Sequence, residues 1–463
     1  MRINGRKRRV RAGWRSNLIP HVLSFAMALA AVVASADEPR PPASASAEAT
    51  AMSRADLAAL AGRVVTEIKL AGNHVTKDWV IAREIWTEVG EPLDPDLVRD
   101  DMTRLENLAI FGSVIVTGRE QDGGVALDFA FTEMPWIIPF PALGYTEENG
   151  FSVGLGMASP NFLGRNITLA ASARFGGAST YSVSGRNPWI TGNHVSAGGE
   201  AWHQARRNKL LDFRQTSDMV QLDVGKYLGR NGRLRIQGGF YGVGSDRPGV
   251  TLSGRDYDNL WHGGFTIGLD SRDSWRVPHQ GWHNELGLMY MGGDADSWTL
   301  DVDIRRYQPL APRHTLATGP LLSFQSGEVG VDVPAYMQFF LGGANSVRGY
   351  ELEELGKEMF GRSQLLYTLE YRYLLVPIRA VRIFKWSFGL GLEAAAFWDV
   401  GVAWSRRGDL NLERTRNGYG AGLRLLVPSL ECVRFDIGVS QYGDVVFNFG
   451  IESIFAARRE RVR

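Results

Sequence analysis

A single arginine stands in the glycine-rich stretch FFLGGANSVRGYELEELG (residues 339–356), between segments crowded with aromatic and aliphatic side chains. A guanidinium is planar, stays charged, and forks to meet carboxylate oxygens in pairs. Two acids downstream sit in otherwise apolar runs: Glu370 in QLLYTLEYRYLL and Asp399 in AFWDVGVAW. The chemistry this set offers is ion pairing. Arg348 reads as a brace for a folded-back loop. Gly349, Gly342 and Gly343 would let the backbone approach a wall closely, with the Tyr350 ring packed beside the tip.

Other strings point to catalysis or ligation only superficially. GFSVG (150–154) has the form of a nucleophile elbow, but LGMASPNF follows it where a helix must stand, so Ser152 is an ordinary strand residue. His194, His203, His262, His279 and His283 are scattered without the paired spacing of metal ligands. No catalytic residue, metal or cofactor is expected, and the chain reads as a non-enzyme. Cys432 is the only cysteine, which excludes an intrachain disulfide. With 51 basic against 50 acidic side chains, bulk affinity for nucleic acid is not indicated.

The elements that must position Arg348 and its acids are strands. Setting Glu370 inward places Leu365, Tyr367, Leu369, Tyr371, Tyr373 and Leu375 on the other face, and setting Asp399 inward places Phe384, Trp386, Phe388, Leu390, Leu392, Trp398, Val400 and Trp404 outside. SWTLDVDIRRY splits the same way, with Trp298, Leu300, Val302 and Ile304 against Asp301, Asp303 and Arg305. One face suits lipid and the other is wet, the pattern of a transmembrane β-barrel. About sixteen antiparallel strands fit residues 138–455. PLAPRH, VPIRAV and VPSLE read as short periplasmic turns, alternating with long extracellular loops such as GSDRPGVTLSGRDYDN. The basic patch ARRNK (205–209) is read as an extracellular loop facing lipopolysaccharide.

Upstream, RKRRVRAGWR precedes the apolar run LIPHVLSFAMALAAVVASA and an Ala34-Ser35-Ala36 cleavage site, so residues 1–36 read as a signal peptide. A retained anchor and a twin-arginine signal are the weaker readings. The seven basic residues lost with it leave a mildly acidic exported chain. Residues 37–60 read as a linker rich in Pro, Ala and Ser. Residues 61–134 form a β-α-α-β-β unit with Thr76 and Asp94 as helix caps and a hairpin around Gln121 to Gly123. A basic tail, 456–463, ends the chain.

SVRGY followed by LEYRY and AFWDVGVAW resembles the BamA/TamA-type outer-membrane assembly and translocation barrels, and the β-α-α-β-β unit resembles their POTRA domain. The resemblance implies that the motif Val347, Arg348, Gly349 and Tyr350 docks inside the barrel against Glu370 and Asp399. LDSRDSWRVPHQGW resembles a second family signature, a turn between strands marked by Asp270, Arg272, Pro278 and Gly281. It also implies an outer-membrane location in a Gram-negative bacterium with the POTRA domain in the periplasm. The function implied is non-enzymatic: assisting insertion of outer-membrane proteins, or translocating polypeptides.

Pro139 and Pro141 at the start of the first strand, against Phe447, Phe449 and Phe455 of the last, mark a seam that is expected to pair poorly. Prolines that merely end one domain and start the next are the equal alternative. The last strand, with Val445 and Ile451 on the same face, is also similar to a C-terminal assembly signal, from which the tail departs. Expected partners are outer-membrane lipids and lipopolysaccharide, unfolded outer-membrane or secreted polypeptides, and a periplasmic partner through the POTRA domain. The single POTRA domain suggests an accessory role. A two-partner-secretion-type exporter of one dedicated substrate and a passive pore are the remaining readings.

Overall fold

The computed structural model describes residues 59–450 apart from 147–148, 192–194, 230, 275–276, 352–358, 384–385 and 428–430. The expected signal peptide, nearly all of the expected linker, Ile451, Phe455 and the tail lie outside the described residues, as does His194.

The N-terminal unit comprises β1 (Val65–Ala71), α1 (Asp78–Ala82), α2 (Pro95–Asn107), β2 (Phe111–Gln121) and β3 (Gly124–Glu133). β3 is central, parallel to β1 and antiparallel to β2. The tight turn between β2 and β3 uses positive φ at Asp122 and Gly123, as a hairpin connection of two residues requires. Both helices bury one face on this sheet, where Val80, Ile81, Val98 and Leu105 meet Val125, Leu127 and Phe129. Asp94 caps α2 by accepting from the Asp96 N–H at 2.9 Å, with Pro95 at the first helical position. Thr76 does not cap α1: the capping residue is Lys77, with no side-chain cap bond, and the helix lasts only five residues. The Thr76 hydroxyl is instead engaged with Glu133 and Asn161, at 2.5 and 2.8 Å.

The barrel opens with β4 (Ile138–Thr146), β5 (Gly150–Phe162), β6 (Ile167–Gly176), β7 (Ser179–Thr191) and β8 (Val195–Asn208). It continues through β9 (Phe213–Leu228), β10 (Gly232–Ser245), β11 (Tyr257–Asp270), β12 (Gly281–Gly293), β13 (Ser297–Ala311) and β14 (His314–Gln325). After a long loop holding the two-residue strands β15 (Phe339–Phe340) and β16 (Phe360–Gly361) come β17 (Ser363–Ile383), β18 (Trp386–Trp404), β19 (Arg416–Val427), β20 (Glu431–Ser440) and β21 (Val445–Gly450). Leaving out β15 and β16, these form a 16-stranded antiparallel sheet that runs in chain order from β4 to β21. An even strand number returns the chain to the side where it entered, which is the side of the N-terminal unit.

Alternation along the strands separates the faces. Trp298 and Ile304 are exposed outside while Asp303 and Arg305 are buried within, and Tyr367, Tyr371 and Trp398 face outward opposite buried Glu370 and Asp399. Three expectations are corrected. VPIRAV is no turn: β17 runs on to Ile383 and stays paired with β18 through Ile383↔Trp386, beyond the last partners in β14 and β19. Register shifts around Val376 absorb Pro377, which has no N–H for the ladder. Leu390, expected outside, lies in this extension and is buried. ARRNK is no loop either, since β8 continues to Asn208. Ser152 stands within β5, accepting from the Ala178 N–H at 2.9 Å.

Candidate functional site: the braced loop and its wall

The loop between β14 and β17 turns into the lumen and touches both walls. Its stem packs Tyr336 and Met337 against Phe213, Tyr241 and Leu260 of β9–β11, and the Tyr336 hydroxyl donates to Asp258 at 2.7 Å. Its tip packs Val347 and Tyr350 with Leu321, Leu366 and Ala403. The Tyr350 hydroxyl donates to the Asn417 carbonyl at 2.9 Å.

Arg348, at the tip, has no solvent exposure. Its Nε and Nη2 donate to the two oxygens of Asp399 at 2.6 and 3.0 Å, the fork geometry that suits a guanidinium. Nη1 donates to Glu370 at 3.0 Å and to Asp436 at 3.2 Å. The guanidinium carbon lies 3.4 Å from the centroid of the Phe397 ring. The structure therefore brings Arg348 together with Glu370 and Asp399, and adds Asp436, which sequence reasoning missed.

The wall extends the network. Arg424 contacts Glu370 and Asp436, Arg434 contacts Asp436 and the Asn345 side chain, and Arg372 contacts Glu370. With Glu393 beside Arg372, four arginines face four carboxylates, each side chain almost fully buried. Balanced charge matters, since a buried ion left without a partner is strongly destabilising. The missed members were within reach of the alternation that gave Glu370 and Asp399: Arg424 in GLRLLV, and Arg434 with Asp436 in VRFDIG, are charges at strand spacing opposite apolar neighbours.

Glycines set how closely the tip approaches. Gly349 has φ +101°, and a Cβ there would lie 2.7 Å from the Val439 carbonyl carbon. The wall is equally bare: a Cβ on Gly418 would sit 1.8 Å from the Arg348 oxygen, and one on Gly438 would sit 2.6 Å from the Gly349 nitrogen. Backbone thus meets backbone where β19 and β20 adjoin.

At the other mouth, Asp270 grips the Arg272 guanidinium through both oxygens, at 2.9 and 2.7 Å, with Arg233 at 3.4 Å. Gly281 has φ +112° and Pro278 is buried. The turn they bracket reaches across the lumen, because Val277 packs with Leu426, Cys432 and Leu374 of β19, β20 and β17. Four residues of the proposed seam are described: Pro139 and Pro141 in β4, and Phe447 and Phe449 in β21. The β4–β5 register runs unbroken from Ile138 to Thr146, so neither proline turns its donor-less nitrogen toward β5. Both lie on the opposite edge.

A latch joins the two domains. The Glu133 carboxylate accepts from the Val75 and Thr76 N–H groups at 2.9 and 2.6 Å and from the Thr76 hydroxyl, to which Asn161 of β5 donates. The Lys77 N–H donates to the Gly164 carbonyl in the β5–β6 turn at 3.0 Å. Burial raises the Glu133 pKa, but these hydrogen bonds outweigh it and hold the carboxyl below its ordinary value.

The sequence profile of the Omp85 superfamily domain matches residues 161–455, and the POTRA profile, described as a surface antigen variable number repeat, matches residues 64–134. Outer membrane protein assembly factor BamA of Nitratidesulfovibrio vulgaris is 26% identical over 375 residues, covering 75% of this chain and 45% of that protein. BamA of Neorickettsia risticii is 25% identical over 424 residues, covering 84% and 55%. The chain thus spans about half the length of the curated relatives it matches. Among solved structures, BamA from Haemophilus ducreyi lacking POTRA domains 1–3 aligns with TM-score 0.55 at 17% identity, over 84% of both chains. CdiB from Acinetobacter baumannii aligns with TM-score 0.51 at 13% identity, over 84% of this chain and 73% of that one. At such identities the structural likeness speaks for the fold.

Proposed function

The chain belongs to the Omp85 superfamily, and from that premise we propose that it passes unfolded polypeptide segments into or across the outer membrane without enzymatic chemistry. It is an outer-membrane protein of a Gram-negative bacterium, with the POTRA unit in the periplasm. An extended substrate segment adds to the edge of β2, a terminal strand of the POTRA sheet, through main-chain hydrogen bonds. It then reaches the seam between β4 and β21, where it pairs with an exposed strand edge. The observation that carries this reading is the placement of Pro139 and Pro141 on the β4 edge away from β5, on the strand that follows the POTRA unit directly. Bracing by Arg348 keeps the lumen filled by the loop, which favours a lateral route over a passive pore.

Cysteine pairs placed along β4 and β21, in a Cys432→Ser background, test the route. Oxidative locking is expected to abolish substrate passage, with recovery on reduction; full activity in the locked barrel would sink the lateral mechanism. Depletion followed by outer-membrane proteomics separates the substrate classes. Broad loss of barrels identifies an assembly factor, and loss of one secreted protein identifies a dedicated exporter.

A further inference from the structure

On the outer wall, Trp261, Tyr290 and Trp298 stand ring beside ring, with centroids 5.2 and 4.9 Å apart, a belt of the kind that marks a membrane interface. Across β8 and β9, between Tyr181 of β7 and Phe240 of β10, no outward-facing Trp, Tyr or Phe among the described residues continues this belt. The register there sets Val183, Ala201, Val220 and Phe240 in one row across the strands, and Tyr181, His203, Asp218 and Gly242 in the next outward-facing row toward the extracellular ends. Between the rows lies a groove of about 550 Å³ over the small side chain of Ala201, with the Tyr257 ring lying against the bare Gly242.

The two walls differ in chemistry. The membrane-side wall is apolar, with Val183, Val220 and Phe240 exposed. The extracellular-side wall is polar: Asp218 pairs with the His203 Nδ1 at 2.7 Å and accepts from the Tyr257 hydroxyl at 3.0 Å. Farther up the same face, Arg207 of β8 stands directly opposite Arg214 of β9. Like charges directly opposed across a ladder repel, and Asp212, 2.6 Å from Arg207, is the one acid bonded to either guanidinium among the described residues. From His203 to Arg207 is four residues, about 13 Å along a strand. That span exceeds a glycerol phosphate and suits a sugar headgroup carrying phosphate.

We infer that this groove is a binding site for a phosphorylated glycolipid of the outer leaflet, with an acyl chain along Val220 and Phe240, the headgroup on the His203–Asp218–Tyr257 cluster, and phosphate at Arg207 and Arg214. The site faces lipid and is separate from the lumen and the seam.

The test uses the full chain in mild detergent, incubated with lipid A, dephosphorylated lipid A or phosphatidylglycerol and weighed by native mass spectrometry. Lipid A is expected to be retained in preference to both others. Ala201→Trp, which fills the groove from an outward position, is expected to lower lipid A retention about tenfold. Val302→Trp on another part of the lipid-facing wall is expected to leave it unchanged, and heat-modifiable migration reports folding in each case. Arg207→Gln with Arg214→Gln is expected to erase the preference for lipid A over its dephosphorylated form, and decides the matter if Ala201→Trp fails to fold. Undiminished retention in the filled or arginine-free variants overturns the site, and equal retention of phosphatidylglycerol overturns the glycolipid as its occupant.

Discussion

Replacing Arg348 by alanine leaves Glu370, Asp399 and Asp436 facing one another in the lumen with one cation fewer. Breaking a buried pair from one side costs about 3–5 kcal/mol, and here the loss falls on the loop, because the strand ladders are untouched. Arg348→Ala is therefore expected to expose residues around the loop tip to protease and to lower function while the barrel keeps its heat-modifiable migration. Arg348→Lys is expected to rescue only in part, since an ammonium cannot fork onto Asp399. Unchanged protease protection and activity in both variants would remove the bracing role. A second residue-scale effect concerns Glu84 of the POTRA unit, whose carboxyl is pushed up from 4.5 to about 7 by burial, against the pull of Arg83 and Arg104. A raised folded-state pKa stabilises below the unfolded value and is lost as pH rises through the folded one, here about 3 kcal/mol between acid and pH above 7. Hydrogen exchange of α1 and α2 is expected to slow as pH falls from 8 to 5 once corrected for intrinsic rates, and Glu84→Gln is expected to flatten that dependence.

At the scale of elements, the loop is held because β19 and β20 present bare backbone to it. Gly418→Val and Gly438→Val each put a side chain where the Arg348 and Gly349 backbone lies, so the tip is expected to be expelled even though every charged partner is still present. Gly408→Val, where nothing lies within 4 Å, is the matched control. Loop proteolysis distinguishes the three, and equal protection in all would show that the ion pairs alone hold the tip. The sequence made the strands and their inward acids readable because alternation is a local, period-two signal. It hid the closeness of the tip to β19 and β20, since a glycine in a strand looks the same whether it faces solvent or another backbone. The extension of β17 and β18 past their neighbours was equally hidden, because Val-Pro in VPIRAV is turn chemistry and only the pairing across to β18 overrides it.

At the scale of the molecule, Glu133 holds the 75–76 segment of the POTRA unit, whose Thr76 hydroxyl meets Asn161 of β5, and so buttresses the joint to the barrel. Its lowered pKa means that its contribution is present above the ordinary carboxylate value and is lost as pH falls through the folded one, opposite in sign to Glu84. Spin labels on the POTRA unit and on β5 are expected to report a broader distance distribution in Glu133→Gln, and in the wild type in acid; a distribution unmoved by both would show that the latch does not set the domain arrangement. The sequence by itself determined the order of elements in the POTRA unit and the barrel with its wet and lipid-compatible faces, because periodicity operates within a few residues. The pairing of Arg348 with Glu370 and Asp399, 22 and 51 residues away, was legible only because a buried guanidinium needs carboxylate partners and the motifs resemble a known family's. Only the tertiary structure decided that Asp436, Arg424 and Arg434 complete the network, that the turn carrying Asp270 and Gly281 crosses the periplasmic mouth, and that Thr76 serves the domain junction rather than its helix. Those outcomes depend on which distant strands stand side by side, and charge balance, backbone clearance and competing hydrogen-bond acceptors exist only once they do.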